Sequence, residues 1–328
     1  SQHNPEESWT KSEFGKIYFI SGNFRQREPW KRFMNFFVVF IASGQSFFAG
    51  ALLIVCATLV GAKARSTWSK RLDSLVLFLG LLLAILSATP LPIFVWLVLC
   101  GCTVCLFRRS LSTKKWLVGL VCTMWCTAAI NETRWQLTPQ LPQQIRRQNL
   151  PLVVLADSVT AGLGEGEAIT WPQLLASKSE FEVIDLSHVG ETVASATKRS
   201  QQYELPEHAV FILELGGNDI LGSASSAQFE ADLEKLLASL DTPNHHIFMF
   251  ELPLIPFHNS WGLIQRKAAT KHGVLLIPKW RLASVFSGST STVDSIHLSQ
   301  EGHNRMQEIV TTVLGLPSRS WVAPDLAS

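Results

Sequence analysis

The chain has 328 residues, of which 47% are hydrophobic and 16% charged, and its mean hydropathy is +0.20. An average soluble domain carries about 25% charged residues, so a disordered or nucleic-acid-coating chain is excluded, and the length fits two domains. The net charge of +2 conceals two unlike halves: residues 1–150 carry +11 and residues 151–328 carry −9. A basic half rich in Leu and Phe beside an acidic half predicts a membrane environment for the first.

Residues 1–34 form a polar, basic tail with no apolar stretch, and no cleavable signal peptide is expected in them. Four apolar runs follow, at about 35–60, 72–88, 91–107 and 116–130. The first is long enough to span a bilayer with tilt. The others give roughly 23–26 Å of helix, short of a hydrocarbon core of about 30 Å, so flanking Lys and Arg must snorkel. Trp30, Trp68, Trp116 and Trp135 sit at run boundaries, where an aromatic belt places them. Thr89-Pro90-Leu91-Pro92 predicts a tight turn between the second and third runs, because neither proline continues a helix. A helical membrane region of about four helices is therefore expected over 35–130.

All six cysteines lie between Cys56 and Cys126. Cys100-Gly-Cys102-Thr-Val-Cys105 has metal-like spacing but no His or carboxylate nearby. Zinc needs four N or S ligands, so these cysteines are expected as small buried apolar residues, and no metal is expected. The loops 61–71 and 108–115 pack eight Lys and Arg into short segments, against nine in the tail and linker on the other side. That density predicts cytoplasmic loops, an integral multi-pass protein and an extracytoplasmic second half. Residues 131–149, with Pro139, Pro142 and a run of Gln and Arg, read as a linker lifting that half off the bilayer. Asn131-Glu-Thr133 also matches a glycosylation sequon.

From residue 150 the periodicity changes. Leu150–Ala156, Phe181–Leu186, Ala209–Leu215, His246–Glu251 and Val274–Ile277 read as buried strands. Trp171–Lys178, Thr192–Gln202, Ser226–Leu240, Ser260–His272 and Ser299–Leu314 read as helices. Such alternation predicts a parallel α/β sheet, whose ligands bind outside the carboxyl ends of the strands. Four segments lie there. Asp157-Ser158 follows the first strand, where a serine hydroxyl can be exposed or the pair can cap a helix. Gly190 follows the second, where a glycine lets backbone approach a ligand or simply turns. Gly216-Gly217-Asn218-Asp219 follows the third, and an Asn amide can face a developing oxyanion. Asp294-Ser-Ile-His297 precedes the last helix, and its acid can orient the imidazole, while Ser299 and Glu301 can cap that helix. Asp157 and Asp219 are expected to bond loop backbone. Glu251-Leu-Pro253 is expected to line a pocket, and His188 is the other histidine expected near the site.

Ser158, Gly190, Asn218 and His297, in this order and with Asp294, resemble the four blocks of the SGNH (GDSL-type) hydrolases. The shared strings are Asp-Ser-x-Thr-Ala-Gly at 157–162, Trp171-Pro172-x-Leu-Leu, and Leu213-Glu-Leu-Gly-Gly-Asn-Asp219. These are most similar to the thioesterase I/lysophospholipase and arylesterase-like branch. The resemblance covers about 150–316, half the chain, and leaves 317–328 as a tail. It departs at Ala156, where the family usually has glycine. It implies a flavodoxin-like three-layer sandwich around a five-stranded parallel sheet. It also implies Ser158 as nucleophile, His297 as base and Asp294 as its orienter. The N–H groups of Ser158 and Gly190 and the amide of Asn218 would form the oxyanion hole, with no metal or cofactor. The expected function is that of a membrane-anchored serine esterase acting on an acetyl or acyl ester: a lipid, an acylated sugar or a thioester. Two alternatives stay open: an acyltransferase using the same triad, and a scaffolding subunit joined to a membrane complex through residues 1–130. Nucleic acid is not an expected partner.

Overall fold

The computed structural model describes residues 36–61, 67–106, 115–162, 168–178, 182–287, 291–292 and 297–316. The apolar runs form helices α1 (Phe36–Ala42), α2 (Gln45–Gly61), α3 (Thr67–Leu86), α4 (Ile93–Cys105) and α5 (Lys115–Thr133). The first run is not one continuous helix: it breaks at Ser43-Gly44 and turns through 81°. Among the described residues no single helix is long and apolar enough to cross a membrane, and α1 and α2 meet that test only together.

Helices α2 and α3 cross where Gly50 meets Gly80. A Cβ on Gly50 would stand 2.5 Å from the Gly80 carbonyl oxygen, so only hydrogen fits that approach. Phe47, Ile54, Leu99 and Trp125 fill the interior of this bundle. The buried Trp125 donates its indole N–H to Thr103 Oγ1 at 2.8 Å, so its polar edge is satisfied. The cysteines do not follow expectation. Cys56, Cys105 and Cys126 are exposed and the other three half-exposed, because helical rotation spreads them around the outer faces of α2, α4 and α5.

A short helix, α6 (Gln143–Arg146), leads into strand β1 (Leu152–Ala156). The chain then runs through α7 (Ser158–Ala161), α8 (Trp171–Lys178), β2 (Val183–Asp185), α9 (Val193–Ser200) and β3 (Ala209–Glu214). It continues with α10 (Gly217–Leu221), α11 (Ser226–Leu240), β4 (His245–Phe250), α12 (Asn259–Lys271), β5 (Leu275–Ile277), α13 (Lys279–Phe286) and α14 (Gln300–Leu314). The sheet is fully parallel, in the order β2-β1-β3-β4-β5. This is the flavodoxin-like order, whose switch point lies between β1 and β3.

Alternation within each strand feeds two cores. Val153, Leu155, Phe211 and Leu213 face α9, α11 and α12, while Leu152, Val154, Val210 and Ile212 face α8, α13 and α14. Burial on both faces explains why β1 and β3 read as continuous apolar runs. All five expected strands appear, four with trimmed ends and β4 shifted back by one residue. Helix α13 was not expected, because it is short and follows β5 with only Pro278 between them.

The segment after α5 does not hold the two halves apart. Leu141 is buried in the α/β core and its N–H bonds the Val313 carbonyl at 2.7 Å. Gln136 accepts the Trp280 indole N–H at 3.0 Å, and Thr138 accepts from Arg281 at 2.9 Å. Ala88, just past α3, belongs to the α/β core. Residues 136–141 are thus bound to the α/β half, while the polar side chains of Gln143, Gln144, Arg147 and Gln148 face outward.

Candidate active site

The chain leaves β1 at Ala156 and enters α7 at once. The Asp157 side chain caps this helix, accepting the Val159 N–H at 2.8 Å, and Ser158 is its first residue. The hydroxyl therefore stands at the carboxyl end of the sheet, beside the switch point. Across it, β3 ends at Glu214 and turns through Gly216, whose φ is +108°. A Cβ there would lie 2.8 Å from Leu252 Cδ1 and 3.0 Å from Phe229, so conformation and space both demand glycine. That turn delivers Asn218. Ser158 and Asn218 line one cleft of about 190 Å³.

Asn218 Nδ2 donates to the Glu191 carbonyl at 2.9 Å and approaches Asp157 Oδ2 at 3.4 Å. One of its two hydrogens is thus firmly held, which fixes the amide plane. The other makes only a long bond, at the geometric limit for a useful one. Gly190 precedes Glu191 in the exposed loop after β2, with φ +75°. Asp219 accepts the Val193 N–H at 3.1 Å, so it holds the start of α9 as the sequence suggests. Burial raises its carboxyl above the usual range, and that N–H draws it back. His188 is largely exposed, 3.8 Å from the Glu191 carboxylate, which pairs with Arg199 at 2.7 Å.

His297 is half-buried near the same junction. Burial pushes the Asp157 carboxyl up, while the Val159 N–H, Glu214 and the nearby charge of His297 pull it down. Ser299 caps α14, accepting the Gly302 N–H at 3.3 Å, and this fixes the segment that carries His297. Asp294 lies outside the described residues. The structure therefore brings Ser158, Asn218 and His297 to one sheet edge, with Gly190 in the loop tied to Asn218.

Beneath the serine lies a network that sequence reasoning missed. Trp171 donates its indole N–H to Thr160 Oγ1 at 2.9 Å, and Thr160 donates to Glu214 Oε2 at 3.1 Å. Glu214 is buried beside Asp157. Burial and the adjoining Asp157 charge push its carboxyl well above the usual range. The only sequence signal was an acid closing an otherwise apolar strand.

The cleft walls are apolar. Leu252 and Leu254 come from the segment after β4, Leu282 and Phe286 from α13, and Ile220 and Leu221 from α10. Pro253 lines the cleft as expected, but Glu251 is buried in an ion pair behind it. Among the described residues no group of three or more His, Cys, Asp or Glu side chains is placed to hold a metal ion.

Residues 157–305 match the model of the GDSL-like Lipase/Acylhydrolase family. Thioesterase 1/protease 1/lysophospholipase L1 of Escherichia coli K12 is 28% identical over 136 residues, covering 39% of this chain and 65% of the relative. The chain thus spans slightly less than two thirds of that protein. Esterase TesA of Pseudomonas aeruginosa is 24% identical over 185 residues, covering 53% of this chain and 91% of the relative. A crystal structure of TesA superposes with a TM-score of 0.43 at 24% identity, covering 50% of this chain and 97% of that one. The match over 157–305 lies in the α/β half, where Ser158, Asn218 and His297 share one sheet edge, and this half is similar to the serine hydrolases of the GDSL/SGNH family.

Proposed function

We propose that the protein is a membrane-anchored esterase that cleaves an acyl ester or thioester through an acyl-enzyme on Ser158. Ser158 Oγ attacks the carbonyl carbon while His297 takes its proton, and Asp294 holds the imidazole in the receiving tautomer. The oxyanion forms against the N–H groups of Ser158 and Gly190 and against Asn218 Nδ2, whose weakly engaged hydrogen turns from Asp157 to it. His297 returns the proton to the leaving alcohol or thiol. Water then gives a proton to His297 as it attacks the acyl carbon, and His297 returns that proton to Ser158 Oγ as the acyl–oxygen bond breaks and the acid leaves.

The observation that carries this reading is the shared cleft: Ser158 and Asn218 sit on its floor and apolar side chains form its walls. An apolar-walled cleft favours an acyl chain over a polar sugar. The membrane reading rests on the outer surface of the helical half. There Leu52, Phe78, Ile93, Phe94, Leu97 and Ile130 expose large apolar side chains, far more than a water-facing bundle tolerates.

The test is hydrolysis of p-nitrophenyl esters of increasing chain length by the full-length protein and Ser158→Ala. The wild type turns over medium-chain esters, and the variant loses at least about a thousandfold in kcat. A wild type inert towards every ester and thioester overturns the reading.

A further inference from the structure

The α/β half is docked onto the helical half through buried charges, and the residues that carry them lead directly into the cleft walls. Arg266 of α12 is the centre. It donates from two guanidinium nitrogens to both carboxylate oxygens of Glu132, each at 2.7 Å, and from Nε to Glu251 Oε1 at 2.7 Å. Glu132 belongs to the last turn of α5 and is fully buried, as is Glu251, and Arg266 is 5% exposed. The guanidinium also lies 4.7 Å over the Trp135 ring. A bidentate pair with a second carboxylate and an aromatic face fixes the guanidinium in every direction.

Two parts of the cleft start at this junction. Glu251 immediately precedes the wall residues Leu252, Pro253 and Leu254, and Leu252 N–H is held by Gln265 Oε1 at 3.0 Å, one residue before Arg266. Helix α13 brings Leu282 and Phe286 to the cleft, and its first residue, the buried Lys279, donates to the carbonyl of Ala88 beyond α3. Pro90 packs so closely on α12 that a Cβ on Gly262 would meet it at 2.7 Å. Both walls are thus referenced to the helical half.

We propose that Arg266 and Glu132 are positioning residues for the substrate cleft, which make its long-chain acyl-binding walls depend on the docked helical half. Neither residue lines the cleft around Ser158, so the pair acts through Glu251 and its following segment. This inference rests on the esterase reading, and two independent measurements separate their failures.

The first compares full-length wild type with Glu132→Gln, which keeps the shape and removes the charge. KM for p-nitrophenyl decanoate rises about tenfold, while kcat/KM for p-nitrophenyl acetate stays within twofold. Glu132→Asp, which keeps the charge but shortens its reach, moves the same way by less. The second is hydrogen exchange on the same proteins, in which segments 251–257 and 279–286 lose protection in Glu132→Gln while β1 and β3 keep theirs. Equal losses for acetate and decanoate, or a lasting long-chain preference, overturn the proposal. If the wild type cleaves no ester, it is the esterase reading that fails, and unchanged protection of both segments then overturns the positioning role by itself.

Discussion

Glu214 is the residue whose role is least visible from outside and most consequential for Ser158. It accepts from Thr160 and lies beside Asp157, and Asp157 in turn caps the helix that begins at Ser158. Glu214→Gln offers an amide N–H to Asp157 and an oxygen to Thr160, so activity is expected to stay within about threefold. Glu214→Ala leaves a cavity and strands Asp157 and Thr160, at a cost of about 2–4 kcal/mol. Denaturant melts of both variants, with ester turnover, check this; equal losses for Gln and Ala would show that the hydrogen bonds contribute nothing. The positions of Ser158, Asn218 and His297 at the sheet edge were legible because Ser158 and Asn218 lie in the first turn of a helix and His297 two residues before the cap of another. Glu214 was not, because one acid at the end of Ala-Val-Phe-Ile-Leu-Glu looks like a strand terminus. Only the parallel register, which sets Ala156 opposite Glu214, brings it under the serine.

At the scale of elements, helix α13 begins in an unusual setting. Lys279 is fully buried, and burial lowers its ammonium from 10.5 to about 8, against the opposing pull of Glu251 and Glu132; Arg266 lowers it further. Between pH 8 and 10.5 the unfolded chain therefore holds more protons than the folded one, and stability rises with pH across that window. Below pH 8 both states are protonated and the cost of burying the charge is constant. The melting temperature, followed from pH 7.5 to 10, is expected to climb for the wild type and to flatten for Lys279→Met. A wild-type curve as flat as the variant's would contradict the burial. The sheet helices α8, α9, α11, α12 and α14 were readable because their apolar spacing is helical over eight or more residues. Helix α13 escaped notice because eight residues with Lys, Trp and Arg in the first turn show no such stripe. The bend at Ser43-Gly44 was hidden because both arms are equally apolar, and only the docking of Gly44 beside Lys279 gives the break a reason.

Across the whole molecule, the contacts at Gly44, Ala88 and Glu132 place the α/β half against one end of the helical bundle. Alternating helix directions then send Gly61 and Cys105 to the other end, and Gly61 indeed stands by Asp73 near the start of α3. The charge rule predicts that the basic segments following Gly61 and Cys105 in sequence face the cytoplasm, and on that ground we propose that the α/β half lies outside it. A phosphatase fused after Ser328 is expected to be active in intact cells, and a fluorescent protein fused there to be dark. The reverse pattern inverts the orientation. The contact between the halves could not be read from the sequence, because Glu132 and Arg266 stand 134 residues apart and each looks like an ordinary surface charge.

That separation also orders events during synthesis. Glu132 is made first, and Arg266 follows only after another 134 residues, roughly 7–27 s later at about 5–20 residues per second. The buried partner of Glu132 is therefore the later of the two to be made, as is Lys279, which reaches back to the Ala88 carbonyl. A hydrolase domain grafted onto these helices without an Arg266 equivalent would leave Glu132 buried and unanswered. The two halves have become one folding unit whose parts are not interchangeable.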